Sequence, residues 1–143
     1  MHRTLYLKIV TGLSFGGTLF AGYLGGIKLF TKTCAFNEAC PYFLGYPACW
    51  YGFGMYLAMF VVALAALMGK LRADAAKIEA AISFLGILFA GFYVLQEIQY
   101  WLAGGTTRYS LGLPTCAYGL IFYVAIFSLS LATLKKGATE VKK

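Results

Sequence analysis

Residues 48–69 read ACWYGFGMYLAMFVVALAALMG, and this stretch contains no charged side chain. Further runs without charge occupy residues 9–27, 80–96 and 109–134. A helix needs about 20 mainly apolar residues to cross the hydrocarbon core of a bilayer. The sequence therefore predicts four membrane-spanning helices, over about residues 6–30, 48–69, 77–102 and 116–135.

The composition indicates the same fold class, an all-α membrane protein. Of the 143 residues, 61% are hydrophobic and only 12% are charged, whereas a soluble domain carries about 25% charged residues. No stretch has the composition of a soluble domain, which excludes a soluble enzyme attached to a membrane anchor. We expect a single domain, a four-helix bundle in contact with the lipid bilayer.

Two helix boundaries depend on local signals. The second helix should begin just after Pro47, because Pro41, Gly45 and Pro47 break the helical pattern before it. The first run follows the basic residues Arg3 and Lys8 and resembles a signal peptide in that respect. Since its apolar stretch is longer than the 7–15 residues of a signal-peptide core, we expect a retained helix.

The lysines and arginines lie mostly on one side of the predicted bundle. Nine are on the side of both termini: Arg3, Lys8, Lys70, Arg72, Lys77, Lys135, Lys136, Lys142 and Lys143. Three are on the other side: Lys28, Lys32 and Arg108. Because cytoplasmic loops carry the excess of positive residues, we expect both termini inside and loops 31–47 and 103–115 outside, in a prokaryotic inner membrane.

The net charge of +7 is therefore expected mainly at the cytoplasmic face, where it would attract anionic lipid. No basic patch with interleaved aromatic residues lies outside the predicted spans. We expect no nucleic-acid partner.

Two segments of the chain recur in the same order. SFGGTLFAG at 14–22 matches SFLGILFAG at 83–91 with an offset of 69 residues, and GYPACWYG at 45–52 matches GLPTCAYG at 112–119 with an offset of 67. The second match continues with Tyr56 and Tyr123. We interpret the two as an internal repeat of two parallel αα units, about residues 6–69 and 77–135, related by a pseudo-twofold axis along the membrane normal.

A simpler explanation is that both halves obey the same rules of helix packing. Small residues four apart let helices approach closely. Such pairs are Gly12 and Gly16, Gly22 and Gly26, and Gly86 and Ala90. They account for the glycines but not for the shared Pro-x-Cys-x-Tyr-Gly element.

All four cysteines, Cys34, Cys40, Cys49 and Cys116, fall on the predicted outer side. Disulfides persist there, and four cysteines allow three connectivities. Spacing favours Cys34 with Cys40, and the repeat favours Cys49 with Cys116. Cys49 and Cys116 are also expected in the first turn of a helix, where unpaired N–H groups and the helix dipole favour a thiolate.

Three kinds of chemistry fit these cysteines. They are a thiol–disulfide relay, two inert structural disulfides, or a four-thiolate metal site. The usual Cys-x-x-Cys pair is absent, and the single histidine, His2, is expected on the opposite side. Both features count against the metal site.

At these residues the chain resembles the vitamin K epoxide reductase family of four-helix membrane thiol–disulfide oxidoreductases, and more distantly bacterial quinone-linked disulfide oxidoreductases. The resemblance covers most of the chain. It rests on Cys34-x5-Cys40, on Leu44-Gly45-Tyr46-Pro47 with Gly52 and Tyr56, and on Cys116-Ala117-Tyr118-Gly119. Gly119 stands where the family has the second cysteine of its redox pair, and our hypothesis is that Cys49 supplies the missing partner of Cys116.

The resemblance implies a relay. Cys34 and Cys40 would exchange with thiols of an exported protein, and electrons would pass to Cys116, paired with Cys49, and then to a quinone. The residues expected near the quinone are Lys28, Trp50, Gln96, Glu97 and Tyr118, with Arg108 as an alternative to Lys28. The alternative function is a non-catalytic subunit or assembly factor of a larger membrane complex, braced by structural disulfides. A small transporter or metal handler is a third, disfavoured by the lack of cysteines deeper in the membrane.

Glu97 is the one acid that we expect within a hydrophobic span, roughly 29 Å along the third helix from Ile78. The repeat pairs it with Lys28. The two could form an ion pair, or act as proton donor and oxyanion partner for a reduced quinone. Snorkelling of both side chains to the surface is the simpler alternative.

Aromatic residues cluster toward the outer side. They form either an interfacial belt or part of a quinone site. They are Tyr42, Tyr46, Trp50, Tyr51, Tyr100, Trp101, Tyr109 and Tyr118.

Overall fold

The computed structural model describes residues 3–32, 42–71, 74–105 and 113–141. In these ranges the chain forms four α-helices and one short β-hairpin. The elements are α1 (Arg3–Thr31), β1 (Tyr42–Phe43), β2 (Tyr46–Pro47), α2 (Ala48–Leu67), α3 (Ala75–Leu102) and α4 (Thr115–Val141). All four helices are long and apolar enough to cross a membrane, which confirms the predicted number of spans.

The helices form two antiparallel pairs. α1 packs mainly along α2, and α3 mainly along α4; the pairs then contact each other through α2 with α3 and through α1 with α4. The first turns of α2 and α4, which carry Cys49 and Cys116, therefore lie at one end of the bundle. We name this the cysteine end, and the end where α1 and α3 begin the termini end.

The hairpin explains why α2 begins at Ala48. Leu44 and Gly45 have φ angles of 50° and 85°, in the left-handed region that glycine adopts without strain, and they turn the chain between β1 and β2. Pro47 follows in an extended conformation as the N-cap of α2. A proline is tolerated at a helix start, because an N–H there would have no partner within the helix. The predicted start after Pro47 is confirmed.

One glycine in each helical pair lies directly against a tyrosine ring of the neighbouring helix. A Cβ at Gly17 of α1 would overlap the ring of Tyr56 in α2, and a Cβ at Gly86 of α3 would overlap the ring of Tyr123 in α4. A larger residue at either position would force the paired helices apart. The contact at Gly86 agrees with the prediction of a close-packing face there.

The predicted small-residue face at Gly12 and Gly16 is wrong. A Cβ at either position would have no atom of another described element within 4 Å, and the same holds for Gly26. Residues four apart share a face of a helix, but their spacing does not say which face meets the neighbour. In α1 that face carries Gly17, Gly22 and Gly25, so the predicted contact is observed at Gly22 but not at Gly26.

The surface of the helices is strongly apolar. Phe15, Leu19, Leu85, Phe92 and Leu95 are each about half exposed or more. Large exposed apolar surfaces mark sites of contact with a membrane or a protein partner. Here they surround the helices, as contact with lipid requires.

Candidate functional site

A cavity with a volume of about 60 Å³ lies between the four helices. Cys49 and Cys116 both line it. Each is the second residue of its helix, α2 or α4. The fold therefore brings the two helix-start cysteines to one partly open cavity, although they are far apart in sequence.

The lining of the cavity follows the two sequence offsets. Residues of α1 pair with residues of α3 at an offset of 69, and residues of α2 pair with residues of α4 at an offset of 67. The pairs are Phe20 with Phe89, Ala21 with Ala90, Leu24 with Tyr93, Ala48 with Thr115, Cys49 with Cys116, Gly52 with Gly119, and Tyr56 with Tyr123. Every lining residue belongs to a pair, so both halves of the chain contribute equally.

Tyr56 and Tyr123 lie deepest along their helices from the cysteine end. Their rings stack with centroids 4.4 Å apart and an angle of 9° between the planes. The Tyr56 hydroxyl donates to the carbonyl of Gly119 at 2.6 Å, and the Tyr123 hydroxyl donates to the carbonyl of Gly52 at 3.4 Å. Each tyrosine thus reaches from one helical pair to the other and ties the two pairs together beside the cavity.

Cys49 and Cys116 are half-buried, and no disulfide bond joins them. The structure therefore does not contain the expected disulfide between Cys49 and Cys116, and what the two side chains share is the lining of one cavity. Cys34 and Cys40, the other expected pair, lie outside the described residues, as do Arg108 and Tyr109.

The residues expected near a quinone lie around the cavity and not in its lining. Trp50 is 39% exposed and stacks on Tyr46, with ring centroids 5.9 Å apart. Tyr118 is half-buried and meets the cavity residue Phe20 edge to face, with centroids 6.3 Å apart. An aromatic surface therefore continues from the cavity to the outside of the bundle at Tyr118.

The predicted polar residues occupy the same end. The Lys28 ammonium lies 5.0 Å from the centre of the Tyr42 ring, a cation–π distance. Glu97 is half-buried and Gln96 is exposed. These side chains could meet a ligand only at the rim of the cysteine end.

Sequence reasoning missed a buried acid. Glu79 in α3 is fully buried, so the expectation that Glu97 is the one acid within a span was wrong. Glu79 lies inside the predicted span 77–102, one residue before the charge-free run that begins at residue 80. Because α3 already begins at Ala75, Glu79 lies in the second turn of the helix, inside the bundle.

A four-thiolate metal site finds no support in the described part of the chain. There, no group of three or more histidine, cysteine, aspartate and glutamate side chains lies close enough to hold a metal ion. Two of the four sulfurs needed for such a site are outside that part.

Comparisons with protein-family models, with curated proteins and with solved structures find no match to this chain.

Proposed function

We propose that the protein is a membrane thiol–disulfide oxidoreductase that passes electrons from thiols of an exported protein to a quinone. The observation that supports this most is that Cys49 and Cys116 line one cavity between four membrane-spanning helices. When two thiols there form a disulfide, they release two electrons and two protons. A quinone takes up both and becomes a hydroquinone, so the reaction balances without another reactant.

The lining of the cavity suits a flat apolar acceptor. Phe20, Phe89 and Tyr93 offer aromatic faces and edges, and rings prefer offset or edge-to-face partners. One water-sized group needs roughly 10–15 Å³, so the cavity takes only a few such groups. We therefore propose that the edge of a quinone ring enters beside the two thiols, while its tail stays in the lipid.

We also propose that the two helical pairs are a parallel duplication, as the repeat suggests. Paired contacts support this. Phe15 of α1 contacts Phe60 of α2 at 5.4 Å between centroids, and their offset partners Phe84 and Phe127 contact each other at 5.8 Å. A shared packing plan in both pairs is what a duplicated unit would keep.

The orientation belongs to the same proposal. The lysine and arginine distribution favours the termini end in the cytoplasm and the cysteine end on the outer side of a prokaryotic inner membrane. Cys34 and Cys40 would then accept electrons from exported thiols and pass them to Cys116 and Cys49.

Thiol trapping on the full chain in membranes tests the proposal. We expect the Cys49–Cys116 disulfide to accumulate when oxidised quinone is present and both thiols to be trapped when quinone is depleted. Peptide mass mapping identifies the bond. Cys116→Ser should abolish reduction of an added quinone by dithiol, whereas Ala117→Ser, which adds a hydroxyl next to the cavity lining, should not. A redox state of these sulfurs that is independent of quinone would contradict the proposal.

Gly119 gives a second, constructive test. A Cβ at this position would lie 3.7 Å from the Tyr56 hydroxyl oxygen, an ordinary contact, so the backbone accepts a side chain there. Under the proposal, Gly119→Cys creates a thiol that forms a disulfide with Cys116 and passes electrons to quinone without Cys49. Gly52→Cys is the matched control in the other half, where a Cβ would lie 4.0 Å from the Tyr123 hydroxyl. If Gly119→Cys forms its bond but no quinone is reduced in the Cys49→Ser background, the cavity is not the electron-transfer site.

The second candidate is a non-catalytic membrane subunit or assembly factor. Gly119, at the position of the second redox cysteine in the family that the chain resembles, favours this alternative. It predicts that the sulfurs keep one redox state under all conditions and that Cys116→Ser lowers stability without changing quinone reduction.

A further inference from the structure

A buried carboxyl group lies at the termini end, away from the cysteines. Glu79 is fully buried, and no described residue donates a hydrogen bond to either of its carboxyl oxygens. Burying a charge is unfavourable unless the charge is paired, coordinated or neutralised. The carboxyl group therefore needs a ligand, and the smallest one is a proton.

The groups around Glu79 are hydroxyls and apolar side chains. The Tyr6 hydroxyl of α1 lies within Coulombic range of the carboxyl group and shares a 2.8 Å hydrogen bond with Ser130 of α4. Ser83 of α3 donates to the backbone carbonyl of Glu79. From α2 the buried side chains nearest this end are Met59, Ala63 and Ala66, which do not titrate.

No described cation neutralises Glu79. The basic side chains described at this end are exposed: Arg3, Lys8, Lys70, Lys77, Lys135 and Lys136. Lys77 forms a salt bridge with Asp74 on the surface, at 3.1 Å. The helix dipole stabilises a negative charge only within the first turn of a helix. Glu79 lies beyond the first turn of α3, so the dipole contributes little there.

The position that corresponds to Glu79 in the first half of the chain, 69 residues earlier, shows that packing does not require an acid there. This offset pairs Glu79 with Val10, which is equally buried, and Tyr6 with Ala75, also buried. An apolar residue thus fills the corresponding place in the other half of the bundle.

We infer that Glu79 is a proton-binding site inside the bundle that exchanges with water at the termini end. Metal cations of the hard type need about six oxygen ligands, and the hydroxyls near Glu79 are too few, with two of them bonded to each other. Glu79 is four residues from the start of α3, roughly 6 Å along its axis, so the path to water is short. The site is separate from the cysteine cavity and does not depend on the proposed redox function.

Labelling by a hydrophobic carbodiimide tests this inference, because such reagents modify protonated carboxylic acids in apolar surroundings. The chain has only five acids, Glu38, Asp74, Glu79, Glu97 and Glu140, so peptide mass spectrometry can assign each label. In the full chain in lipid vesicles at neutral pH, we expect the label on Glu79. Once the group ionises at higher pH, labelling should fall roughly tenfold for each pH unit.

Two variants and one competitor complete the test. Glu79→Gln and Glu79→Val should lose the label, the second carrying the residue found at the paired position. Sodium or potassium at fixed pH should not protect Glu79. Absence of label on Glu79 while Glu97 is modified would overturn the inference, and protection by sodium would do so too, because the ligand would then be a metal cation. The decisive label is measured on the chain without any substitution, so poor folding of a variant does not affect the result.

Discussion

The two ends of the bundle use paired positions in opposite ways. At the cysteine end the pairs around the cavity are mostly identical, as with Cys49 and Cys116 or Gly52 and Gly119. At the termini end, three pairs of buried positions differ in polarity: Glu79 and Val10, Tyr6 and Ala75, and Ser130 and Ala63. Both halves contribute equally to the cavity, which therefore lies between them. Glu79 occurs in one half only and makes the two halves chemically distinct.

The stacked tyrosines separate these two regions. Tyr56 and Tyr123 rest on Gly17 and Gly86 and bond to the opposite helical pair. They belong to the symmetric part by position, yet their hydrogen bonds differ in length by 0.8 Å, from 2.6 Å to 3.4 Å. Variants in and around this layer can therefore show how far the equivalence of the halves extends.

The largest effect is expected at the two glycines beneath the stack. Gly17→Ala should lower the free energy of unfolding by about 1–3 kcal/mol, because its Cβ would overlap the Tyr56 ring and overpacking costs that much. Gly86→Ala should cost the same, through Tyr123. Reversible unfolding in detergent micelles measures both. Gly16→Ala, with open space around its Cβ, should be neutral or stabilising by up to about 1 kcal/mol; unequal costs at Gly17 and Gly86 would break the equivalence of the halves.

A smaller effect is expected from the tyrosine hydroxyls. Tyr56→Phe should cost about 1 kcal/mol, the usual net value of a hydrogen bond, since its bond to the Gly119 carbonyl is short. Tyr123→Phe should cost less, because its bond to the Gly52 carbonyl is long. The same unfolding measurement compares them. A greater loss for Tyr123→Phe would contradict the geometry.

The polar contact at the termini end should contribute less still. A double-mutant cycle of Tyr6→Phe and Ser130→Ala should give a coupling energy of about 0.6 kcal/mol, the average for side-chain hydrogen bonds between membrane helices. Because the paired positions carry Ala75 and Ala63, this coupling has no equivalent in the other half. Strictly additive single effects would show that the hydroxyls do not interact.

The smallest effect is expected on the surface. Lys77→Ala removes the exposed ion pair with Asp74 and should change the free energy of unfolding by less than about 0.5 kcal/mol, as exposed pairs contribute little. The change should also disappear at high salt. A loss above 1 kcal/mol would contradict a weak contribution from this exposed pair.

The elements of the fold were readable from the sequence because they depend on local properties. Uncharged runs of sufficient length predict spans, and Pro47 predicts the start of α2, which is observed at Ala48. The repeat also pairs Tyr56 with Tyr123. It could not show that their rings stack, since a sequence match says nothing about distance.

The candidate site was readable only in part. Cys49 and Cys116 were expected together, and the structure places both on one cavity. Lys28, Trp50, Gln96, Glu97 and Tyr118 were expected beside a ligand, and none of these five described residues lines that cavity. Polarity and aromatic character near a membrane surface do not distinguish residues that face inward from those that face lipid.

The sequence by itself determined that the chain forms four apolar helices, with Cys49 at the start of the second, because length, hydropathy and proline position act along the chain. Only the tertiary structure decided that Gly17 and Gly86 take the tyrosine rings while Gly12 and Gly16 do not, and that Glu79 is enclosed. The physical reason is that lipid is as apolar as the interior of the bundle. Hydrophobicity therefore marks a membrane helix but not the face it turns to its neighbours.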